Sequence, residues 1–134
     1  MLDTIAQITG LILACYQHTF YALPPRLSRS PDRGALNLVR ELRQHDFRVD
    51  MRVRRDNTEL RIDGQTLLLV VPARQLNEMY MARLRSRVQA EDWAAGLLVT
   101  FESARPRSRR LLNPAGAGEI TPRKANKAPA QAAG

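Results

Sequence analysis

The most apolar run of the chain, QTLLLVV at residues 65–71, limits what it can fold into more than any other stretch. Its leucines and valines do not alternate with polar residues, which is typical of a strand buried on both faces. The Asp63-Gly64 pair just before it indicates a two-residue hairpin turn. We therefore expect this run to follow the strand at residues 59–62 through a tight turn and to lie in the centre of a sheet.

Hydrophobic spacing along the rest of the chain predicts three helices and up to four more strands. The helices are expected at residues 2–22, 35–46 and 74–90, and the other strands at 47–55, 59–62, 94–101 and, as an edge strand, 108–113. The order ααβββαβ(β) predicts an α+β fold in which helices flank a small mixed sheet. The strand–helix–strand segment 65–101 is expected to join parallel strands through a right-handed crossover.

Two finer expectations concern the first half of the chain. Residues 24–34, PPRLSRSPDRG, have the composition of a loop. The strand at 47–55 alternates between apolar and charged residues, so one of its faces is expected to be buried. The residues expected to point inward are Phe47, Val49, Met51 and Val53.

The length and the composition divide the chain into two parts. Residues 1–113 are expected to form one domain, and residues 114–134, rich in Ala, Pro, Gly, Lys and Thr, a flexible basic tail. No basic segment precedes the first apolar stretch, which is also too polar and too short to span a bilayer. The single cysteine, Cys15, fits a reducing compartment. We therefore expect a cytoplasmic location and no membrane partner.

The charge of the chain is its most unusual property. The net charge is +8, and all 21 basic residues except Lys124 and Lys127 are arginines. Arginine binds phosphates and carboxylates through two parallel hydrogen bonds, so this balance suggests a polyanion or an acidic partner. The alternative is that arginine simply supplies solvated surface charge, and the composition does not decide between the two.

The arginines are the candidate binding residues, because several are spaced to share a surface. Three alternate along the strand at 47–55, two lie four residues apart on the third helix, and four cluster in RPRSRR. Such groups could line a groove for nucleic-acid backbone. On the alternative interpretation they form a solvated face that Asp50, Glu59 and Glu78 partly neutralise. The candidates are Arg48, Arg52, Arg54, Arg83, Arg87, Arg105, Arg107, Arg109 and Arg110.

Other chemistry has little support in the sequence. No glycine-rich loop cradles a phosphate, and no serine lies in a nucleophile motif. His18 and His45 are far apart, with no second cysteine and no acidic cluster beside either one. We therefore expect no metal site, no cofactor and no small-molecule substrate.

Four segments in order carry a resemblance to a known family. They are ITGLILACYQHTF, LVRELRQHDFRVDMRV, LLLVVPA, and AGLLVTF followed by RRLLN. Together they resemble the helix, helix–strand, central strand and closing strand pair of the bacterial GxxExxY proteins, a branch of the PD-(D/E)XK nuclease-like superfamily. The resemblance covers residues 3–113 and implies a restriction-endonuclease-like fold. In that superfamily two carboxylates hold Mg²⁺ beside a lysine.

The resemblance also implies that the catalytic residues are missing here. The second carboxylate of the family falls on Val70 and its lysine on Pro72. Only the first carboxylate has a counterpart, Glu59. The residues that give the family its signature correspond to Arg26, Arg29 and Asp32, the glutamine of its helix to Arg83, and the histidine of its first helix to Tyr16. We therefore expect a chain that is not an enzyme and has no catalytic residues.

Three functions follow as hypotheses. The first is a catalytically inactive nuclease-like protein that acts as a binding subunit on DNA or RNA backbone or on a nucleoprotein assembly. The second is a structural or accessory protein that docks onto an acidic protein partner. The third is an active nuclease whose site has migrated. The sequence favours the first because so many arginines accompany the lost charges at Val70 and Pro72.

Overall fold

A five-stranded mixed sheet with helices on both faces confirms the expected α+β architecture. The computed structural model describes residues 3–24, 31–113 and 120–121. Its helices are α1 Ile5–Ala22, α2 Pro31–Gln44 and α3 Glu78–Ala90. Its strands are β1 Asp3–Thr4, β2 Val49–Val53, β3 Thr58–Ile62, β4 Thr66–Val70, β5 Ala95–Thr100, β6 Arg107–Leu112 and β7 Ile120–Thr121.

The apolar run forms the centre of the sheet, as expected. The strand order is β2-β3-β4-β5-β6, so β4 has two strands on each side. β4 runs parallel to β5, with Val70 opposite Val99, whereas every other neighbouring pair in this sheet is antiparallel. The expectation that the segment 65–101 joins parallel strands is therefore confirmed. β6 is an edge strand, also as expected.

Two apolar cores hold the layers together, one on each face of the sheet. Successive side chains of a strand point to opposite faces. Leu68 and Val70 accordingly pack against α1 and α2, whereas Leu67 and Leu69 join the core beneath α3. Every residue of β4 and β5 is buried.

The hairpin that precedes β4 has the predicted turn. Asp63 and Gly64 have φ angles of 53° and 66°, and a type I′ turn requires positive values at both central positions. The Asp63 carboxylate also accepts a hydrogen bond from the Arg48 backbone N–H at 2.8 Å, which ties the turn to the start of β2.

The prediction of a loop over residues 24–34 is wrong for its last part. Helix α2 begins at Pro31, where the missing proline N–H costs no helical hydrogen bond. Asp32 follows in the first turn, where a negative charge favours the helix dipole. Residues 25–30 lie outside the described part of the chain. Gly34, within the helix, is buried because it lies against the Phe101 ring.

Three other features differ from the sequence-based expectation: the exposure of Val53, the start of the third helix and the pairing of part of the tail. Val53, expected to point inward, is 60% exposed because it ends an edge strand that has a neighbour on one side only. The helix expected from residue 74 begins at Glu78, where Asn77 caps it, after a 3₁₀ turn at Ala73–Gln75. The predicted tail lies mostly outside the described residues, but Ile120–Thr121 pairs with Asp3–Thr4 as a short antiparallel ladder.

The first helix begins at Ile5 rather than at residue 2 as expected, because Asp3–Thr4 pairs as the short strand β1, whereas its end at Ala22 agrees with the expectation. The Thr4 hydroxyl accepts a hydrogen bond from the Gln7 N–H, and the Gln7 side-chain oxygen accepts one from the Thr4 N–H. The two hydrogen bonds form a capping box at the start of α1. Within the described residues, no helix is both long and apolar enough to cross a membrane.

The two glycines of the helices give a matched test of the packing. A Cβ on Gly34 would lie 2.3 Å from Phe101 Cδ2, so we expect Gly34→Ala to lower the free energy of unfolding by about 1–3 kcal/mol. A Cβ on Gly10, which is exposed on α1, meets nothing within 4 Å. Gly10→Ala should therefore raise the free energy of unfolding by up to about 1 kcal/mol. Urea unfolding measures both, and equal stability of the two variants would contradict the close packing at Gly34.

Candidate nucleic-acid interface

The structure divides the nine predicted arginines between opposite edges of the sheet. Arg48, Arg52 and Arg54 lie along β2, whereas Arg107, Arg109 and Arg110 lie on β6. Three strands separate these edges, so they are roughly 19 Å apart at about 4.8 Å for each strand spacing. The predicted arginines therefore do not form one continuous surface.

The first group surrounds an uncovered part of the sheet. Helix α3 packs on residues of β4, β5 and β6, and the side chains that β2 and β3 present on the same face are polar. Arg87, on the flank of α3, reaches across to β3, and Arg83 lies one turn before it. We call the resulting surface the arginine strip. It consists of Arg48, Arg52, Arg54, Arg61, Arg83 and Arg87.

A buried carboxylate organises the arginine strip. Glu59 on β3 is 1% exposed. Its Oε2 lies 2.8 Å from Arg61 Nε, and its Oε1 lies 2.9 Å from Arg87 Nη1 and 3.8 Å from Arg54 Nε. Burial alone would raise the pKa of Glu59, but the hydrogen bonds and charges of Arg87 and Arg61 outweigh it and hold this pKa below its ordinary value. Glu59 is therefore ionised and fixes the orientation of these guanidiniums.

A second carboxylate extends the network along α3. Glu91 accepts two hydrogen bonds from Arg87, at 3.0 and 3.1 Å, and one from Trp93 Nε1 at 2.8 Å. These hydrogen bonds, led by those of Arg87, lower the pKa of Glu91. The hydrogen bonds to Glu91 also raise the pKa of Arg87. The hydrogen bond to Glu59 adds to this increase, whereas burial acts against it. Arg61 lies over the Trp93 ring at 5.9 Å, so its guanidinium is held on two sides.

The arginine strip keeps a positive surface despite these pairs. The side chains of Arg52, Arg54, Arg61 and Arg87 are about a third to a half exposed, so each presents part of its guanidinium to solvent. The six arginines outnumber the four carboxylates beside them, which are Asp50, Glu59, Asp63 and Glu91. The arrangement suits an anion with several acceptor oxygens.

The second group of arginines is spread over both faces of the opposite edge. Arg107 and Arg109 stand opposite Thr100 and Leu98 of β5 and share the face of α3, whereas Arg110 points to the other face. Arg109 pairs with Glu78 at 2.9 Å. Arg110 Nη1 lies 3.4 Å from the Ala6 carbonyl oxygen. The RPRSRR segment is therefore less compact than its sequence suggests.

A cleft of about 300 Å³ lies at the carboxyl ends of β4 and β5. Ligands of α/β sheets often bind at this end of parallel strands. Arg54 belongs to both the cleft and the arginine strip. The cleft is lined by Asp32, Arg54, Arg55, Asp56, Asn57, Pro72, Arg74 and Glu102.

Two of the three carboxylates of this cleft, those of Asp32 and Glu102, make structural hydrogen bonds. Asp32 accepts a hydrogen bond from Thr58 Oγ1 at 2.7 Å, and Glu102 accepts one from the Ala73 N–H at 3.0 Å. Among the described residues, the cleft contains no group of three ligand atoms that lie close enough together to share a metal ion.

Glu59 and Val70 lie on opposite faces of the sheet. Glu59 is paired with Leu69, which packs beneath α3, whereas Val70 packs against α1 and α2. A carboxylate at position 70 would therefore point away from Glu59. Pro72 lines the cleft, but Val70 is wholly buried.

Tyr16 connects α1 to the far edge of the sheet. Its hydroxyl lies within hydrogen-bonding distance of the Thr100 carbonyl and accepts from the Arg107 N–H at 3.0 Å. Burial outweighs these hydrogen bonds and raises the pKa of Tyr16 to about 12, so the phenol stays neutral.

Sequence reasoning missed several residues of this region. Arg61 belongs to the arginine strip, and Arg55 and Arg74 to the cleft. The pattern ELRI contained one usable signal, because it places Glu59 and Arg61 on the same face of a strand.

Comparisons with protein-family models, with curated proteins and with solved structures found no match to this chain.

The role of Glu59 predicts a pH-dependent stability. At neutral pH, Glu59→Gln should lower the free energy of unfolding by about 1–3 kcal/mol, less than for a fully buried ion pair because the arginines are partly exposed. Since the pKa of Glu59 is lower in the folded chain than its ordinary value of about 4.3, the unfolded chain takes up the proton first as the pH falls. The stabilisation is therefore complete above about pH 5 and declines as the pH falls through the folded-state pKa.

Urea unfolding of the wild type and of Glu59→Gln between pH 3 and pH 7 checks this expectation. Glu78→Gln is the matched control, since Glu78 also pairs with an arginine but is 83% exposed. It should change the stability by less than about 1 kcal/mol. A difference between the wild type and Glu59→Gln that grows toward low pH would contradict the assigned role.

Proposed function

We propose that this chain is a catalytically inactive, nuclease-like subunit that binds nucleic-acid backbone along the arginine strip, as a degenerate member of the GxxExxY proteins in the cytoplasm. The observation that carries the proposal is the buried carboxylate of Glu59, which holds Arg54, Arg61 and Arg87 on an uncovered part of the sheet.

Preorganisation is the first argument for this function. A flexible arginine loses side-chain entropy when it binds a phosphate. Arg61 and Arg87 are already held by Glu59, with Trp93 and Glu91 as further contacts, so binding costs these two side chains less entropy. Both side chains remain partly exposed, and a guanidinium can donate to a carboxylate and a phosphate at the same time because it has five N–H donors.

The shape of the surface is the second argument. Arg52 and Arg54 are two residues apart on one strand face, which places them about 7 Å from each other. Arg54 also lines the cleft, where Arg55 and Arg74 lie beside three carboxylates. The positive surface is therefore longer than one phosphate group, as binding to a backbone requires.

The contacts favour backbone over bases. Trp93 is buried, and the Tyr80 ring already carries the Arg83 guanidinium at 4.9 Å. Neither ring is offered as an open platform for stacking, which is the usual way to hold unpaired bases. We therefore expect affinity that depends strongly on salt and weakly on sequence.

A salt titration with matched charge variants tests the binding. In fluorescence anisotropy with labelled duplex DNA, single-stranded DNA and RNA of equal length, we expect Arg52→Gln/Arg54→Gln to weaken binding about tenfold at low salt. The slope of log K against log salt should fall by about two, because each removed arginine leaves one phosphate without its cation. The control Arg109→Gln/Arg110→Gln removes the same charge from the opposite edge and should have a smaller effect.

Two outcomes would contradict the proposal. Equally weakened binding in both double variants would mean that net charge alone attracts the polymer. No binding to any of the three polymers at low salt would reject a nucleic-acid partner, and the basic surface would then have to serve docking onto an acidic protein.

Absence of cleavage is a separate expectation. With Mg²⁺ or Mn²⁺, the purified chain should cut neither DNA nor RNA, because Val70 and Pro72 stand at the positions where the resemblance places the catalytic carboxylate and lysine. Gel assays on labelled polymers check this. Metal-dependent cleavage that disappears in Asp32→Asn/Glu102→Gln would show instead that a catalytic site has moved into the cleft.

A further inference from the structure

Helices α1 and α2 bring together four side chains that bind transition metals. Cys15 and His18 are three residues apart on one face of α1, whereas Glu41 lies in the last turn of α2 and contacts His45, which follows that helix. Ligand atoms of Cys15, Glu41 and His45 all lie within 4.8 Å of one another. The distance along the sequence had indicated that the histidines could not share a site, but helix packing brings both of them to Glu41.

The distances around Glu41 fit a shared cation. Glu41 Oε2 lies 3.2 Å from His45 Nε2 and 3.2 Å from His18 Nδ1. Ligand atoms of a tetrahedral zinc lie about 3.3–3.8 Å from each other, since the bonds to the metal are about 2.0–2.3 Å long. The ligand atoms of Cys15, Glu41 and His45 are therefore close enough to reach one ion after small movements, whereas His18 must turn toward it. His18 is 70% exposed, so its ring has room to turn toward the other three ligands.

A neighbouring cavity supplies an independent observation. It has a volume of about 200 Å³, and His18, Thr19 and Glu41 contribute to its lining. The Thr19 hydroxyl oxygen is buried and has no hydrogen-bond partner among the described residues. A buried polar group without a partner is costly, so a group bound in this cavity that forms a hydrogen bond with Thr19 would be stabilised. Water ordered beside a bound metal would supply that partner.

We propose that this chain binds one zinc ion between α1 and α2 through Cys15, Glu41 and His45, with His18 as the fourth ligand. A thiolate and a carboxylate together cancel the charge of Zn²⁺, so the half-buried site gains no net charge. This balance is important because Arg40 also lines the cavity. Thiolate and imidazole ligands select zinc over Mg²⁺ or Ca²⁺, which prefer oxygen.

The zinc site is separate from the arginine strip. It lies on the opposite face of the sheet, among the helices that cover Leu68 and Val70. It is also distant from the cleft, because Asp32 and Glu41 are nine residues apart on α2, or about 14 Å. Zinc would therefore join the two helices that form this layer, whether or not the chain binds nucleic acid.

Titration of the whole chain with Co²⁺ and Zn²⁺ tests the site. The protein, free of affinity tags, is reduced and stripped of metal with a chelator. We expect one Co²⁺ per chain, the visible absorption of tetrahedral cobalt and a thiolate-to-cobalt charge-transfer band, all removed by one equivalent of Zn²⁺. Zn²⁺ should also raise the melting temperature.

Four variants separate this site from adventitious binding. Cys15→Ala should abolish the charge-transfer band, and Glu41→Gln and His45→Gln should each weaken Co²⁺ binding at least tenfold. His18→Gln should weaken it less, because His18 is largely exposed and lies outside the group of three ligands that the fold already brings together. Gln17→Ala, an exposed neighbour on α1, is the control and should bind as the wild type does.

The proposal fails if the wild type binds no Co²⁺, or binds it without the charge-transfer band. It also fails if His45→Gln retains full affinity. Unchanged affinity in His18→Gln would overturn the role of His18 as fourth ligand. Cys15 is buried and its replacement could impair folding, but His45 is half-exposed, so the His45→Gln result remains decisive.

Discussion

Burial of β4 and β5 on both faces is the constraint on which the rest of the structure depends. Charged side chains cannot occupy this central pair, because α1 and α2 cover one face and α3 covers the other. Within the described residues, the arginines therefore lie outside this central pair, on β2, β3 and β6, on the helices α2 and α3, and in the connecting segments. The same burial explains why valine is suited to position 70, where a carboxylate would face an apolar layer.

The sequence predicted what depends on local pattern. The QTLLLVV run and the Asp63-Gly64 turn were sufficient to place a central strand after a hairpin, because periodicity and turn chemistry act within a few residues. The start of α2 was missed because Pro31 and Gly34 were taken as signals of a loop, although proline also suits the first position of a helix. The exposure of Val53 was missed because periodicity does not reveal where a neighbouring layer ends.

The candidate sites were harder to predict for the same reason. Glu59 has the sequence context of a solvated residue, and only the packing of α3 beside β3 shows that it is buried under three arginines. Glu41 reaches both histidines only when α1 lies against α2. Clusters of polar groups from separate elements form through tertiary packing. The spacing of residues along one element does not predict such contacts.

The arginines on β2 and β6 have a further consequence for the sheet itself. Both strands are edges, and the edge of a sheet offers unpaired backbone groups to any other strand that approaches. Long cationic side chains on the two outer strands make two copies of the chain repel each other where their sheets would otherwise join. These cationic edges thus protect the chain from edge-to-edge aggregation, and a polyanion that neutralised them would remove that protection.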